Sequence, residues 1–407
     1  MRSDARNVAE LTDLRAMRGR WLGEGDGRAL SLTVTAPGRT NYAWCTIPMP
    51  VVGWDLAARE TVEAEIANCG NRPTEVMLWV VGRRGWDAVA DHATLAPGES
   101  RGFSCRLRET FPDGTPKVDP LQIKQVQVMV PKALEGAAIE VRGLGVGGSA
   151  SPWQRPAARV DVPDMDNGPP APGRRVRYHL EGHEASGIYA ALYLPEDWRA
   201  DGHFPVIVEY PGNIFYTPGC YSTGRPEQCV IGYGMTRGRG TIWISLPFVD
   251  LAAGTIAEDG WGDADATAQY AVRAVEEICQ RFGGDRNNVV LAGFSRGAIA
   301  CGYIGLRNDR IAKLWKGFHA CQHYDGDGWR GATMPGAMER ARRFSGRAII
   351  HTDNQPGPFR ELMAETRAEV TFLRSGLGAH ACAMFLDDRP STRELRDWYA
   401  GLTRKSP

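Results

Sequence analysis

The stretch VVLAGFSRGA, residues 289–298, lies between an apolar run and a helical pattern and decides the fold of the C-terminal half. Residues 289–292 are short and apolar, as a buried parallel strand requires. After Gly297, apolar residues recur up to Ile304 with the spacing of one helix face. A serine at this strand-to-helix corner, Ser295, is held out of the sheet on a strained turn. The flanking glycines allow another segment to approach it closely.

The pentapeptide Gly293-Phe294-Ser295-Arg296-Gly297 resembles the nucleophile elbow of the α/β-hydrolase superfamily. The resemblance implies that Ser295 is a catalytic nucleophile and that the helix N-terminus behind it favours a developing oxyanion. It also implies the chain order serine, acid, histidine, and a doubly wound, mostly parallel sheet. A purely structural turn is the alternative interpretation of the same pentapeptide.

Length and composition indicate a globular chain of two domains. Of 407 residues, 43% are hydrophobic and 24% are charged, which is typical of soluble globular proteins. Lys plus Arg and Asp plus Glu both total 48, which removes the usual electrostatic basis for binding nucleic acid or an anionic membrane. No apolar run approaches the ~20 residues of a membrane span. The N-terminus lacks a signal-peptide core, so we expect a cytoplasmic protein, or a secreted or periplasmic one whose leader was removed.

The nine cysteines are scattered without C-x-x-C pairs, which argues against a zinc site or a disulfide framework. No metal and no cofactor are predicted. Cys279, Cys301 and Cys382 lie in apolar patterns and are expected to be buried thiols. Cys220 and Cys229 lie in one polar loop, where a local disulfide is an open alternative to two free thiols.

Residues 1–147 follow a period of two, with turn signals between short runs, which predicts an antiparallel β-sandwich domain. The segment from Trp79 to Trp86 and the turn at residues 97–100 resemble the jelly-roll, galactose-binding-like modules attached to carbohydrate-active enzymes. Such a resemblance implies a domain that binds sugars. The tryptophans of this half either stack on sugar rings or pack in the core, and packing is favoured; they are Trp21, Trp44, Trp54, Trp79 and Trp86.

A segment rich in Pro, Gly, Ser and Ala at residues 148–173 is predicted as a linker. The G-x-G-x-x-G match at residues 143–148 has no helix after it, so a dinucleotide site is rejected. From residue 174 to 407, buried strand runs alternate with helical patterns. We therefore predict an α/β class protein: a doubly wound, mostly parallel α/β-hydrolase sheet preceded by an antiparallel β-sandwich.

A serine hydroxyl needs a base to remove its proton, and the resemblance places a histidine on the loop after the last strand. His380 lies in such a glycine-bearing loop, SGLGAH, residues 375–380, and is the predicted base. His351 ends a buried strand and is interpreted as a structural histidine that satisfies a hydrogen bond at the sheet edge.

The acid of the triad has two candidates. Asp353 follows the strand that ends at His351, which is the superfamily's usual position for the carboxylate that orients the imidazole. Asp325, in the loop HYDGDG after the preceding strand, is the alternative acid, because some hydrolases use that loop instead. Asp353 is favoured on chain order.

An oxyanion hole needs two backbone N–H groups, and Arg296, the residue after the nucleophile, is expected to supply one. The second is expected from Asn213 or Ile214, in the loop after the strand at residues 206–210. The Arg296 side chain is predicted either to contact an anionic substrate group or the carbonyl oxygen, or to pair with a nearby carboxylate. The Ser-Arg pair resembles that of glucuronoyl esterases, although the rest of the elbow differs.

These residues predict a serine carboxylic-ester hydrolase with a Ser-His-Asp triad and an acyl-enzyme intermediate. The substrate is expected to be a small-molecule or saccharide ester, with neither nucleic acid nor membrane as a partner. A carbohydrate-linked ester is favoured because of the sandwich domain. A peptidase or amidase of the same fold is one alternative, since fold and triad do not determine the leaving group. A carbohydrate-binding protein with a degenerate hydrolase domain is the other.

Overall fold

The computed structural model describes residues 13–23, 28–36, 40–48, 56–83, 87–156 and 159–404. The chain divides into two compact units. One comprises Met1–Ala157 with Tyr216–Tyr221, and the other comprises Ala158–Phe215 with Ser222–Pro407. The domain boundaries at residues 147/148 and 173/174 stay a prediction. Within the described residues, no helix is both long and apolar enough to span a membrane.

The first unit contains an antiparallel β-sandwich, as the period of two predicts. Its sheets have the strand orders β1-β4-β9-β6-β7 and β2-β3-β10-β5-β8, and each strand pairs antiparallel with its neighbours. The strands are β1 (Asp13–Arg15), β2 (Met17–Leu22), β3 (Ala29–Val34), β4 (Tyr42–Pro48), β5 (Thr61–Asn68), β6 (Thr74–Gly82), β7 (Ala88–Leu95), β8 (Ser100–Arg106), β9 (Ile123–Pro131) and β10 (Ala138–Gly147).

Alternation along the strands creates the core of the sandwich. In β5, Val62 and Ile66 are fully buried while Glu63 and Glu65 face solvent, because successive side chains of a strand point to opposite faces. Two of the tryptophans lie inside this unit: Trp44 is 6% exposed and Trp79 is 1% exposed.

Aromatic contacts explain the burial of these tryptophans. Trp79 packs edge-on against Tyr216 and Tyr221, which belong to the same unit, and Trp44 packs against Tyr216. Trp21 is half-buried under the Arg28 guanidinium, 4.4 Å from the ring centroid. Trp54 and Trp86 lie outside the described residues. Trp44 and Trp79 are therefore buried by packing, but not in the predicted place: they lie on the sheet face opposite the sandwich core, which the neighbouring side chains of Leu78 and Val80 enter.

The second unit is built on a nine-stranded, mostly parallel sheet with the order β11-β12-β13-β17-β14-β20-β21-β22-β23. Only the pairs β12–β13 and β13–β17 are antiparallel. The strands of this sheet are β11 (Met165–Asp166), β12 (Arg175–Tyr178), β13 (Ala190–Tyr193), β14 (Phe204–Tyr210), β17 (Ile242–Ser245), β20 (Gly284–Phe294), β21 (Gly317–Cys321), β22 (Ala348–Thr352) and β23 (Val370–Leu373). β11 lies within the segment predicted as a linker.

Two short hairpins, β15 (Phe215–Thr217) with β16 (Cys220–Ser222) and β18 (Val249–Asp250) with β19 (Thr255–Ile256), complete the strands. The helices are α1 (Ile231–Thr236), α2 (Ala264–Phe282), α3 (Arg296–Tyr303), α4 (Asp309–Ala312), α5 (Met334–Ala341), α6 (Arg360–Thr366) and α7 (Pro390–Thr403). Helix α2 begins where the Asp263 side chain accepts the Ala266 amide proton and ends at left-handed Gly283. Its apolar face is buried against the sheet core, with Ala271 and Ile278 fully buried.

This unit has the α/β-hydrolase fold. The strand β14 is inserted between β17 and β20, so the connection from β14 to β17 reverses the direction in which the sheet grows. Strands β20 to β23 then add in sequence, and their carboxyl ends meet at one edge. Ser295, Asp353 and His380 each follow one of these strands, so this edge of the sheet gathers the predicted catalytic residues.

All nine cysteines are free thiols, so the possible disulfide between Cys220 and Cys229 is not formed. Cys301 is fully buried, as expected, whereas Cys279 and Cys382 are half-buried. Burial raises the pKa of the Cys220 thiol to about 12, so this group stays protonated and unreactive.

Candidate active site

Ser295 occupies a strained corner between β20 and α3. Its φ of 56° lies in the left-handed region, which a residue with a side chain rarely adopts. The Ser295 amide donates to Cys321 O at 3.0 Å, which ties the corner to β21. A Cβ atom at Gly293 would lie 2.1 Å from Gly297 O, and one at Gly297 would lie 2.0 Å from Tyr210 O. Both glycines of the motif are therefore required by close backbone approach.

His380 lies against the nucleophile. Its Nε2 atom is 3.0 Å from Ser295 Oγ, within the range for proton transfer from the hydroxyl. The imidazole packs on the Phe294 ring, with 4.6 Å between the centroids, so the residue before the nucleophile holds the ring. The structure thus brings together the two residues predicted as nucleophile and base.

The environment of His380 keeps its imidazole neutral. Burial, and then the neighbouring His323, lowers the pKa of His380 from 6.5 to about 4. A neutral imidazole can accept the serine proton, whereas a protonated one cannot.

We expect the acid limb of the kcat/KM profile for a neutral ester to lie below the ordinary histidine value of 6.5. Activity falls as the pH drops through the lowered pKa, because only unprotonated His380 acts as the base. In His323→Gln the limb should move to higher pH, because the electrostatic interaction with His323, which lowers the pKa of His380, is removed. Exposed His203→Gln serves as the control. A wild-type limb at or above 6.5 would contradict this account of the site.

Asp353 is close to the base but is bonded to other groups. It follows β22 directly and adopts a left-handed φ of 59°. Its carboxylate accepts hydrogen bonds from Ser375 N at 2.7 Å, Ser375 Oγ at 2.6 Å and Gln322 Nε2 at 3.2 Å. Asp353 and His380 line the same cleft, yet within the described part of the chain no carboxylate hydrogen-bonds to His380.

The alternative acid, Asp325, has a different role. It is 8% exposed and accepts two hydrogen bonds of 2.7 Å from the Arg340 guanidinium. A Cβ atom added at Gly302 would lie 2.5 Å from the Asp325 Cβ atom, so Asp325 packs closely against helix α3. Within the described residues, the Asp325 carboxylate thus pairs with Arg340 and forms no hydrogen bond with the His380 imidazole.

A histidine–carboxylate pair that was not predicted from the sequence lies beside His380. His323 Nδ1 is 2.7 Å from Asp327 Oδ2, and the His323 ring meets the His380 ring edge-on at 5.4 Å between centroids. The signal was present in the sequence, because His323 and Asp327 occupy the loop at the carboxyl end of β21. The HYDGDG run of this loop is interpreted from the sequence as a turn that carries the alternative acid Asp325.

His351 is a structural histidine, buried between Phe359 and Phe372. Its Nδ1 atom is 3.0 Å from Asn354 Nδ2. It therefore satisfies a hydrogen bond, as expected, but β22 lies between β21 and β23 and not at the sheet edge. Burial lowers the pKa of His351 to about 3, so this ring is neutral.

Of the two residues predicted to complete the oxyanion hole, the structure excludes one. The Ile214 amide donates to Glu258 O at 2.9 Å and is not free for an oxyanion, which corrects that prediction. Asn213 is fixed by its side chain: Oδ1 accepts the Gly260 amide proton at 2.9 Å, and Nδ2 donates to Asp259 at 2.9 Å. No hydrogen bond from the Asn213 amide occurs among the described residues, so this N–H remains the candidate.

The Arg296 side chain does neither of the things predicted for it. It is 1% exposed, and its terminal nitrogens donate to four backbone carbonyls, those of Gly212, Gly224, Ala257 and Gly260, at 2.8–3.0 Å. The guanidinium lies 3.9 Å from the centroid of the Phe248 ring. Among the described residues, the guanidinium forms no ion pair with a carboxylate and does not line the cleft; instead it ties together the loops beside the elbow, including the one that carries Asn213.

Burial disfavours the charged form of Arg296 and lowers its pKa to about 9. The four backbone carbonyls that it contacts are in turn satisfied by this buried guanidinium. Arg296→Met leaves those carbonyls unsatisfied at roughly 1–3 kcal/mol each, and we expect lower stability in urea. Arg296→Lys should lower kcat by about 10²-fold, since a displaced Asn213 amide resembles a lost oxyanion donor. Exposed Arg310→Lys is the control. Unchanged kcat in Arg296→Lys would contradict a positioning role.

This chain is similar in fold to solved structures, but it matches no protein-family model. Neither a scan against protein-family models nor a search of curated proteins finds a match to this chain. Many solved structures are similar. The similarity is one of fold alone.

Among the described residues, no three His, Cys, Asp or Glu side chains cluster to hold a metal ion.

Three of the similar structures are named as ester-cleaving enzymes. Fungal esterases from Rhizomucor miehei share 11% identity over 56% of this chain and 82% of theirs, with a TM-score of 0.38. A thermophilic esterase from Thermogutta terrifontis shares 13% identity over 56% and 92%, with a TM-score of 0.36. An acetyl ester-xyloside bifunctional hydrolase from Caldicellulosiruptor lactoaceticus shares 14% identity over 58% and 98%, with a TM-score of 0.37. These scores are low, so the fold assignment rests on the sheet order and the elbow of this chain.

Proposed function

We propose that this protein is a serine carboxylic-ester hydrolase. The observation that carries the proposal is the 3.0 Å contact between His380 Nε2 and Ser295 Oγ at a strained elbow. A serine in this contact has a base placed to take its proton, which is the requirement for nucleophilic attack on an acyl carbon. A degenerate hydrolase domain has no need to keep this pair in contact.

The reaction proceeds in two halves. Ser295 Oγ bonds to the ester carbonyl carbon while His380 Nε2 takes the hydroxyl proton, and the negative oxygen is stabilised by the amides of Arg296 and Asn213. The C–O bond to the alcohol then breaks, and the leaving oxygen receives the proton from His380. Water attacks the resulting acyl-enzyme by the same route and releases the acid.

Asp353 is the proposed third member of the triad. It occupies the position after β22 and lines the cleft that His380 lines. In this role its carboxylate orients the imidazole and stabilises the imidazolium that forms during attack. The loop after β23 connects the two residues, because Ser375 in that loop already donates two hydrogen bonds to Asp353.

For the substrate we propose a polar ester, with a carbohydrate-linked ester as the narrower form. The narrower form is supported by the antiparallel sandwich, which resembles the modules attached to carbohydrate-active enzymes. Burial of Trp44 and Trp79 removes those two residues as sugar platforms, so this part has less support than the chemistry.

The proposal is tested by acyl-enzyme trapping. Wild-type protein is mixed with 4-nitrophenyl acetate, quenched in acid and measured by intact mass, with 4-nitroacetanilide as the matched amide. We expect one acetyl group on the wild type from the ester, none on Ser295→Ala and a far slower reaction with the anilide. Comparable rates on the anilide would favour an amidase, and no acetylation from either compound would refute the proposal.

A further inference from the structure

A polar cleft of about 540 Å³ opens beside His380. Its lining contains three amide side chains, one guanidinium and one carboxylate: Gln322, Asn354, Gln355, Arg374 and Asp353. The other lining residues, apart from His380, are glycines and an alanine. Within the described residues, no large apolar side chain lines this cleft. Such a lining disfavours a fatty acyl chain and favours a hydrophilic ligand that makes hydrogen bonds.

Most polar groups of the cleft are already occupied. The Asp353 carboxylate accepts three hydrogen bonds, two from Ser375 and one from Gln322, so its negative charge is spread over these donors. Asn354 Nδ2 lies 3.0 Å from both His323 O and His351 Nδ1. The Asp353 carboxylate and the Asn354 amide group are therefore largely occupied by protein partners and can form few further hydrogen bonds with a ligand.

Two lining side chains, Gln355 and Arg374, form no hydrogen bond among the described residues, and of these two only Arg374 carries a charge. Arg374 follows β23 directly, six residues before His380 in the same loop, and its side chain is exposed. Among the described residues it has neither an ion pair nor a side-chain hydrogen bond. Its guanidinium carries five N–H donors in a planar fork that matches a carboxylate. The charged group that the cleft leaves free to bind a ligand is thus the Arg374 guanidinium. It lies at the carboxyl edge of the sheet, where ligands of such folds bind.

We propose that this cleft binds a carboxylate carried by the ester substrate, with Arg374 as the recognising residue. The inference rests on the proposed ester hydrolase function and names its substrate class: the ester of an acid that bears a second, free carboxylate. Ser295 does not line the cleft, but His380 lines it and contacts Ser295, so the second carboxylate pairs with Arg374 in the cleft while the ester carbonyl lies at Ser295 on the other side of the imidazole contact. A neutral ester of the same size has no free carboxylate to pair with Arg374, so it binds only through its contacts with the other residues of the site.

The test compares two methyl esters of similar size, monomethyl succinate and methyl butyrate, by the methanol that they release. The measured quantity is the ratio of kcat/KM for the anionic ester to that for the neutral ester. We expect Arg374→Gln to lower this ratio about 10-fold, mainly through KM for the anionic ester, as an Arg–carboxylate pair is lost. Arg374→Lys should lie between the two, because a lysine keeps the charge but not the fork. Exposed Arg360→Gln is the matched control and should leave the ratio unchanged.

Salt and a product-like inhibitor provide independent measurements. Raising NaCl to about 1 M should reduce the ratio in wild type, because exposed charges are then screened beyond ~3 Å. Succinate should inhibit hydrolysis of 4-nitrophenyl acetate more strongly than neutral succinamide does, and Arg374→Gln should remove that difference. This arm does not depend on turnover of the methyl esters.

The outcomes separate this inference from the proposed function. A ratio that is the same in wild type and Arg374→Gln, with equal inhibition by succinate and succinamide, overturns the carboxylate site and leaves ester hydrolysis standing. A wild type that hydrolyses neither the methyl esters nor 4-nitrophenyl acetate overturns the proposed function itself, and this inference with it.

Discussion

Replacing Ser295 with alanine is expected to lower kcat for ester hydrolysis by about 10⁶-fold, the loss typical when the nucleophile of a serine hydrolase is removed. The reason is local: Oγ is the atom that bonds to the acyl carbon, and His380 Nε2 lies 3.0 Å from it. The thermal unfolding midpoint should change little. Ser295 is half-buried, and the backbone bonds that hold its corner involve its amide and carbonyl, which alanine keeps. The measurement is steady-state kinetics beside thermal unfolding.

Two further variants make this prediction specific. Ser295→Ala with His380→Ala should be no slower than either single variant, because the two residues act as one unit and their effects are not additive. Ser104→Ala, at an exposed position of β8, is the matched serine control and should retain full activity. Activity of Ser295→Ala close to wild type would remove Ser295 from the reaction.

The second large effect is expected for Asp353→Asn, which should lower kcat by about 10⁴-fold. An asparagine cannot stabilise the imidazolium that His380 becomes during attack, and it favours the wrong tautomer of the ring. Folding should be largely kept, since the asparagine oxygen can still accept from Ser375 N and its NH₂ group can donate to Ser375 Oγ, although the bond from Gln322 Nε2 is lost. Kinetics on 4-nitrophenyl acetate measure the change.

Matched aspartates in the loop after β21 serve as controls. Asp327→Asn disturbs His323 and should cost much less than Asp353→Asn, because Asp327 pairs with His323, whereas Asp353 lines the cleft with His380 and occupies the position after β22 proposed for the acid. Asp325→Asn should act on stability, as it weakens a buried ion pair with Arg340. A larger kinetic loss in Asp327→Asn than in Asp353→Asn would place the acid function in the loop after β21.

Local pattern was sufficient to predict the main architecture. The period of two in the first half predicted the sandwich, and the run into the elbow predicted strand β20, the corner at Ser295 and helix α3. Chain order was enough to bring His380 to Ser295, because consecutive parallel strands place their carboxyl ends at one edge.

Contacts between distant segments could not be read from the sequence. The backbone carbonyl of Glu258, 44 positions beyond Ile214, accepts the Ile214 amide proton. This long-range bond leaves only the Asn213 amide as a candidate for the oxyanion hole. Arg296 was expected to meet an anion or a carboxylate, but its partners are backbone carbonyls, which carry no residue-specific signal in the sequence. The pair of His323 with Asp327 differs, because it is local: both residue types were visible in the loop after β21, but which of its carboxylates pairs with the histidine depends on how the loop folds.

The central claim, that Ser295 is an activated nucleophile, is tested most directly by a fluorophosphonate probe followed by peptide mass spectrometry. Such a probe reacts with a serine that a neighbouring base activates. The account predicts one adduct on the peptide that contains Ser295, its loss in Ser295→Ala and a strongly slowed reaction in His380→Ala. An unlabelled wild type that is folded, or an adduct on a different residue, would contradict it.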